Sequence, residues 1–158
     1  MATETKLRQL ADKGCPVYYF YSSERYLVRQ AVAAATRILT ADSDEDATVL
    51  DGAAPEIEQL IMAAGTISFF GTRRVVVLPE IDPAAYSDKD LEELNSTLSS
   101  LENAVVVLGS VFELERSKLK TGKRAQKLIA QCKALGYTEE LAKPKPFELK
   151  MMMIDRAK

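Results

Sequence analysis

Two kinds of hydrophobic pattern alternate along the chain. In one kind, apolar and β-branched residues follow one another without polar alternation, which is typical of strands buried on both faces. In the other, apolar residues recur every three or four positions, as they do on one face of an amphipathic helix. The continuous runs predict five strands, at residues 17–21, 48–50, 73–78, 104–108 and, more weakly, 137–139. Strands that alternate with helices predict an α/β fold, a three-layer, five-stranded parallel sheet with helices on both faces.

The periodic segments between these strands predict the helices and their buried faces. Ser22 and Ser23, followed by Glu24, predict a capped start for the helix after the first strand. Pro55 is well placed to begin the helix that precedes the third strand. The predicted core-facing residues of the successive helices are Leu27, Ala31, Ala34, Ala35 and Ile38; Ile57, Leu60, Ile61 and Ala64; Leu91, Leu94, Leu98 and Leu101; and Ala125, Leu128, Ile129, Cys132 and Leu135.

A basic segment follows the fourth strand, which Gly109 is predicted to close. This segment predicts a long basic helix, with Gly136 as its C-cap. No acidic residue lies between Glu115 and Glu139. The pattern favours a solvated helix face over a surface that meets phosphates or an acidic partner. The basic residues are Arg116, Lys118, Lys120, Lys123, Arg124, Lys127 and Lys133.

The carboxyl-terminal end of the sequence differs from the rest. The alternation of lysine and proline at residues 143–146 is typical of a linker. Phe147, Met151 and Ile154 then have the spacing of a new amphipathic helix. We therefore expect one α/β domain over residues 1–143, and over residues 144–158 a linker and the start of a truncated helical domain.

Composition narrows the class of protein. Hydrophobic residues make up 47% of the 158 residues, charged residues make up 28%, and the net charge is −2. These values are typical of a globular domain, and no apolar run approaches the roughly 18 residues that a membrane-spanning helix needs. The amino terminus has no apolar signal segment, and the two cysteines form no paired motif. We expect a cytoplasmic protein without a membrane partner.

The sequence does not contain the residues that several kinds of catalysis, metal binding and nucleotide binding require. The chain has no histidine, which excludes histidine-based acid–base catalysis and histidine-ligated zinc. The turn after the first strand, where α/β folds place phosphate loops, contains neither glycine nor a Gly-Lys pair. Pro79 and Glu80 stand where an ATPase would hold magnesium with an aspartate. The acidic residues at 42–46 lack the glycine and glutamate of a calcium loop. We expect no cofactor, metal or nucleotide site.

Four residues between the second helix and the third strand do not fit a core pattern. If the helix that contains Ile57 continued at about 100° per residue, Ser68 would return to the buried stripe, and Phe69 and Phe70 would point away from it. Ile67 would lie at the edge of the stripe. Packing of one ring against the strand and exposure of both rings are equally compatible with this pattern. An exposed apolar pair flanked by polar residues is typical of a protein-binding surface.

Three motifs in register resemble a known family. Residues 17–29, VYYFYSSERYLVR, are similar to its opening strand and helix, and residues 67–78, ISFFGTRRVVVL, to its central signature. The third match is the strand at 104–109 with the charged segment and lysine-rich helix that follow. Together they resemble the amino-terminal part of the delta subunit of the bacterial DNA polymerase III clamp loader.

The resemblance implies an AAA+-like core without a functional phosphate loop, followed in the family by helical lid and collar domains. It implies a non-catalytic subunit of the DNA polymerase III holoenzyme, a nucleotidyltransferase, that helps to open the sliding clamp for loading onto DNA. The implied clamp-binding residues are Ile67, Ser68, Phe69 and Phe70, where the family usually has leucine at the Phe69 position. The implied partners are the sliding clamp, other clamp-loader subunits and, through the complete complex, primed DNA.

Two other functions remain open at this point. A nucleotide-binding enzyme domain of the doubly wound type would bind its ligand near residues 22–25, at the carboxyl ends of the strands. An inert AAA+-like scaffold would contact only other loader subunits and would ignore the clamp.

Overall fold

The computed structural model describes residues 4–41, 46–65, 74–116 and 118–141. Five parallel strands form the central sheet in the order β2-β3-β4-β1-β7. The strands are β1 (Val17–Ser22), β2 (Thr48–Val49), β3 (Arg74–Leu78), β4 (Ala104–Val111) and β7 (Tyr137–Glu140). The helices are α1 (Glu4–Asp12), α2 (Arg25–Thr40), α3 (Ile57–Gly65), α4 (Asp88–Ser99) and α5 (Gly122–Leu135). The predicted five-stranded parallel sheet is confirmed.

Helices cover both faces of the sheet, as predicted. Successive residues of a strand point to opposite faces, so Tyr18 and Phe20 pack with α1 and α2 while Val17 and Tyr19 pack with α3, α4 and α5. Residues of β3 and β4 divide between the two cores in the same alternating way. Burial on both faces explains why these strands read as continuous apolar runs in the sequence.

Side-chain caps explain where α4 and a short 3₁₀-helix begin. Ser87 precedes α4, and its hydroxyl oxygen accepts a hydrogen bond from the Asp90 amide at 3.1 Å. Asp82 performs the same role for a short 3₁₀-helix, Pro83–Ala85, by accepting from the Ala84 amide at 3.0 Å. Leu91, Leu94 and Leu98 of α4 are buried, which confirms three of the four core positions predicted for this helix.

The structure corrects the prediction of a long basic helix after β4. Two short antiparallel strands, β5 (Leu114–Glu115) and β6 (Lys118–Leu119), form a hairpin before α5 begins at Gly122. Arg116 lies in the turn of the hairpin with a positive φ of 53°. The hairpin was missed because its strands have two residues each, too few to establish a period of two.

Gly109 was predicted to end the fourth strand and Gly136 to cap the basic helix, and in the structure both glycines have a different role. β4 runs through Gly109, which pairs with Phe20, and ends at Val111. Gly136 does follow α5, but its φ of −160° is extended and is not the left-handed conformation of a glycine cap. A side chain at Gly136 would place its Cβ 2.1 Å from the Val17 carbonyl oxygen. Glycine is needed here for close approach of α5 to β1.

Candidate functional site

The carboxyl edge of the sheet is where α/β folds bind nucleotides. In this chain only Ser23 and Glu24 connect β1 to α2. The Ser22 side chain is fully buried, and its hydroxyl oxygen accepts a hydrogen bond from the Glu24 amide at 3.1 Å. Glu24 occupies the N-cap position of α2 without a side-chain cap, so the predicted serine cap is wrong. A two-residue connection leaves no loop whose amides could surround a phosphate.

An ion pair crosses the position of the missing phosphate loop. Arg25, the first residue of α2, pairs through Nε with a carboxylate oxygen of Glu80, which follows β3. Both side chains are partly exposed, Arg25 by 59% and Glu80 by 40%. Because β4 lies between β1 and β3, this pair bridges the carboxyl end of β4. Glu80, which stands where an ATPase would have its magnesium-holding aspartate, therefore has a specific cationic partner.

Gly109 allows α2 and the turn after β3 to approach each other over β4. A Cβ at Gly109 would lie 2.4 Å from the Pro79 carbonyl oxygen and 2.8 Å from Cγ1 of Val28 on α2. The Ile81 amide donates to the Gly109 carbonyl oxygen at 2.8 Å, which fixes the turn after β3 on β4. The close packing of α2 and this turn over β4 depends on the absence of a side chain at Gly109.

A buried polar network lies beneath the same edge. The hydroxyls of Tyr19 and Ser110 are 2.6 Å apart, and the Ser110 hydroxyl donates to the Ile81 carbonyl oxygen at 2.8 Å. Burial raises the pKa of Tyr19 well above its ordinary value, although the hydrogen bond to Ser110 opposes the shift. The Ser110 side chain is buried in the protein interior, so its hydroxyl does not face the cleft.

An open cleft of about 880 Å³ lies outside this edge, and its charges are mixed. Arg25, Arg29 and Lys120 contribute cations, whereas acidic side chains oppose them on the other walls: Asp51, Glu80, Asp82 and Glu113. Among the described residues, no group of histidine, cysteine or acidic side chains could hold a metal ion. The cleft thus offers neither a phosphate cradle nor a concentrated charge of one sign.

The predicted clamp-binding residues stand in the sequence between α3 and β3, ahead of the amino end of β3 at the opposite edge of the sheet. Ile67, Ser68, Phe69 and Phe70 lie outside the described residues, so their placement stays a prediction. Their described neighbours are Gly65 at the end of α3 and Arg74 at the start of β3. The Arg74 amide donates to the Asn103 carbonyl oxygen at 2.9 Å, which attaches this end of β3 to the residue before β4.

Apolar side chains are exposed on α3 near that edge. Met62 is 73% exposed and Ile61 is 51% exposed. The prediction that Ile61 faces the core is therefore wrong, whereas Ile57 and Leu60 are buried as predicted. Ile61 lines an open groove of about 560 Å³ between the ends of α3 and α4, together with Leu101. The sequence pattern could not distinguish Ile61 from the buried residues of α3, because Ile57 and Ile61 are the same residue type and lie on one helix face by their spacing.

A comparison with solved structures finds a similar fold in a DNA polymerase III gamma subunit-related protein from Thermotoga maritima. The two structures agree with a TM-score of 0.64 at 15% sequence identity, over 92% of this chain and 48% of that one. The chain therefore has a clamp-loader-like fold. It spans about half the length of the Thermotoga protein. No protein-family model and no curated protein matches the sequence.

The comparison describes the fold and not the individual site residues. At 15% identity the likeness concerns the fold alone, and it assigns no role to any side chain. Within the described ranges, no helix is long and apolar enough to cross a membrane.

Proposed function

We propose that this chain is a clamp-loader subunit domain that binds a sliding clamp and is not itself an ATPase. The observation that carries the proposal is the combination of a clamp-loader-like fold with a carboxyl edge that has no phosphate loop. A fold of this kind without a nucleotide site is suited to a binding role. The sequence resemblance to the delta subunit supports the same role.

The closed nucleotide position supports the non-catalytic part of the proposal. β1 is joined to α2 by Ser23 and Glu24 alone, and Glu24 would repel a phosphate at the start of the helix. The ion pair between Arg25 and Glu80 bridges the same position. Since Arg25 is already neutralised, it is not available as an isolated positive charge for a triphosphate.

The proposed clamp-binding residues are Ile67, Ser68, Phe69 and Phe70. Phe69 and Phe70 would anchor in an apolar pocket of the clamp, Ile67 would extend the apolar contact, and Ser68 would hold the local turn by a side-chain bond. The exposed Met62 on α3 supports the choice of this segment, because it is an exposed apolar side chain five residues before Ile67 in the sequence.

Clamp opening follows from differential binding in this proposal. A subunit can shift a ring from closed to open only if it binds the open form more tightly. The domain would supply part of that difference within a complete loader, where ATP bound by other subunits would control access to this surface. Its partners would be the clamp, the other loader subunits and, through the complete complex, primed DNA.

Titration calorimetry of the chain with the sliding clamp of the same organism tests this proposal. We expect saturable binding in the absence of nucleotide, because the proposed anchors do not require ATP. A folded chain that ignores the clamp and binds other loader subunits would instead establish an inert scaffold. Binding of ATP with magnesium would establish a nucleotide-binding domain and contradict the proposal.

A further inference from the structure

The connection between β2 and α3 contains an aspartate followed directly by a glycine, Asp51 and Gly52. No other aspartate or asparagine of the sequence precedes a glycine. Both residues are exposed, and Gly52 has a φ of 111°, in the left-handed region. Among the described residues, no atom outside the chain neighbours of Gly52 lies within 4 Å of a Cβ placed there. The backbone at this pair therefore has open space around it.

We infer that Asp51 is a modification site, at which the aspartyl residue isomerises to isoaspartate through a succinimide. The Gly52 amide nitrogen attacks Cγ of the protonated Asp51 carboxyl group. A carbon–nitrogen bond forms, and the amide proton and the carboxyl hydroxyl leave together as water. Water then opens the ring: addition at the α-carbonyl gives isoaspartate, and addition at the other carbonyl restores aspartate. The reaction needs no oxidant, reductant or cofactor, and it does not depend on clamp binding.

Hydrogen bonds hold the connection on both sides of this pair. The Leu50 amide donates to the Val77 carbonyl oxygen at 2.8 Å, and the Ala53 carbonyl oxygen accepts from the Asp82 amide at 2.7 Å. Within the described part of the chain, neither the side chain of residue 51 nor the amide of residue 52 has a hydrogen bond or ion pair. Ring closure therefore breaks no hydrogen bond that the structure describes.

Glycine makes the ring closure accessible. The nitrogen of Gly52 must come within about 3 Å of the Asp51 Cγ, and two groups on neighbouring residues meet without the entropy cost of a bimolecular encounter. A residue without a Cβ adopts the required backbone angles without a steric clash. Other aspartates lack these conditions, because Asp88 and Asp90 lie in α4 and Asp82 precedes a proline, which has no amide proton.

Isomerisation changes one wall of the cleft at the carboxyl edge. Asp51 lines this cleft together with Arg25, Arg29 and Lys120. The isoaspartyl form has one more carbon atom in its main chain and carries the carboxylate directly on Cα. The net charge stays the same, so the product differs from aspartate in the position of the negative charge and in the path of the backbone.

Incubation of the full chain in neutral buffer at physiological temperature for several weeks tests the inference. Labelled S-adenosylmethionine and an isoaspartyl O-methyltransferase detect the product, because this enzyme class does not methylate ordinary aspartyl side chains. Peptide mapping with an aspartate-specific protease locates it, because cleavage before residue 51 is lost. We expect the label at Asp51. An absence of label there would overturn the inference, as would equal label at Asp46, which is exposed and precedes Ala47.

Two variants and a denaturant control complete the test. Asp51→Glu would need a six-membered ring and should lose the label, whereas Asp51→Asn forms the same succinimide with loss of ammonia and should gain label faster than the wild type. The wild type should form the product in the folded state as well as in urea. Product in urea alone would overturn the inference, because the fold would then prevent ring closure. Label that persists in Asp51→Glu would also overturn it.

Discussion

Arg25 and Glu80 form an ion pair across the end of β4, at the position where nucleotide-binding α/β proteins place a phosphate loop. The pair depends on the packing beneath it, because Gly109 lets α2 and the turn after β3 approach each other over β4. A feature of the backbone, the missing Cβ of Gly109, thus determines the arrangement of charges at this edge.

We predict that the chain does not bind ATP with magnesium, even when this ion pair is removed. The variant Arg25→Gln/Glu80→Gln should unfold with a free energy within about 1 kcal/mol of the wild type, because the pair is exposed to solvent. Calorimetry with ATP should show no binding for either protein. ATP binding by the double variant alone would instead reveal a nucleotide site that the ion pair covers.

Substitution of Gly109 should destabilise the fold. A Cβ at this position would lie 2.4 Å from a backbone oxygen, so Gly109→Ala forces the turn or α2 to move. We expect a loss of about 1–3 kcal/mol or more in the free energy of unfolding, measured by urea denaturation. Gly65→Ala is the matched control, because among the described residues no atom outside its chain neighbours and its own helix lies within 4 Å of a Cβ there. Equal stability of the two variants would contradict the described packing.

Cys132 should make the protein less stable at alkaline pH. Burial raises the pKa of this thiol from 9.0 to about 12, so the unfolded chain loses its proton at lower pH than the folded protein. The stability that the protonated, buried thiol contributes is complete below pH 9 and is lost as pH rises toward 12. From pH 8 to pH 10 the wild type should lose about 1.4 kcal/mol more stability than Cys132→Ala. Urea denaturation under reducing conditions measures the stability of both proteins at the two pH values. An equal loss of stability in the two proteins would exclude this effect.

Much of the fold could be predicted from the sequence because the sheet is buried on both faces. Continuous runs such as residues 104–108 identify parallel strands, and the repeated leucines of α4 identify its buried face. The hairpin at 114–119 could not be predicted, because its pairing depends on contacts between neighbouring backbones and not on a hydrophobic period. The role of Gly109 depends on packing that only the structure describes.

The candidate site could be predicted only in part. The absence of a phosphate loop follows from the residues themselves, whereas the partner of Glu80 lies 55 positions away in the sequence. The helical phase assigned to Ser68 was referred to Ile57, which is buried, but the structure describes α3 only to Gly65, so the phase of residues 67–70 stays a prediction. The proposed roles of Phe69 and Phe70 therefore rest on the resemblance and on the exposed apolar side chains of α3.

The identity of the side chain at position 69 gives a further prediction. The family that the sequence resembles usually has leucine there, and a leucine fills less volume than phenylalanine. Phe69→Leu should keep clamp affinity within about fivefold of the wild type, since exchanges between large apolar side chains are tolerated when a pocket can adjust. Competition against labelled wild-type chain measures the ratio directly. A loss as large as that of Phe69→Ala would show that the pocket requires an aromatic ring.

The most direct test of the central claim is the affinity of Phe69→Ala/Phe70→Ala for the sliding clamp. Anchor residues contribute about 2 kcal/mol or more, so we predict a loss of at least roughly 30-fold with an unchanged melting temperature. Tyr26→Ala/Leu114→Ala is the matched control, because it removes two exposed apolar side chains, 51% and 57% exposed, from other surfaces. This control should bind like the wild type. Unchanged affinity of the double phenylalanine variant would contradict the claim that these residues bind the clamp.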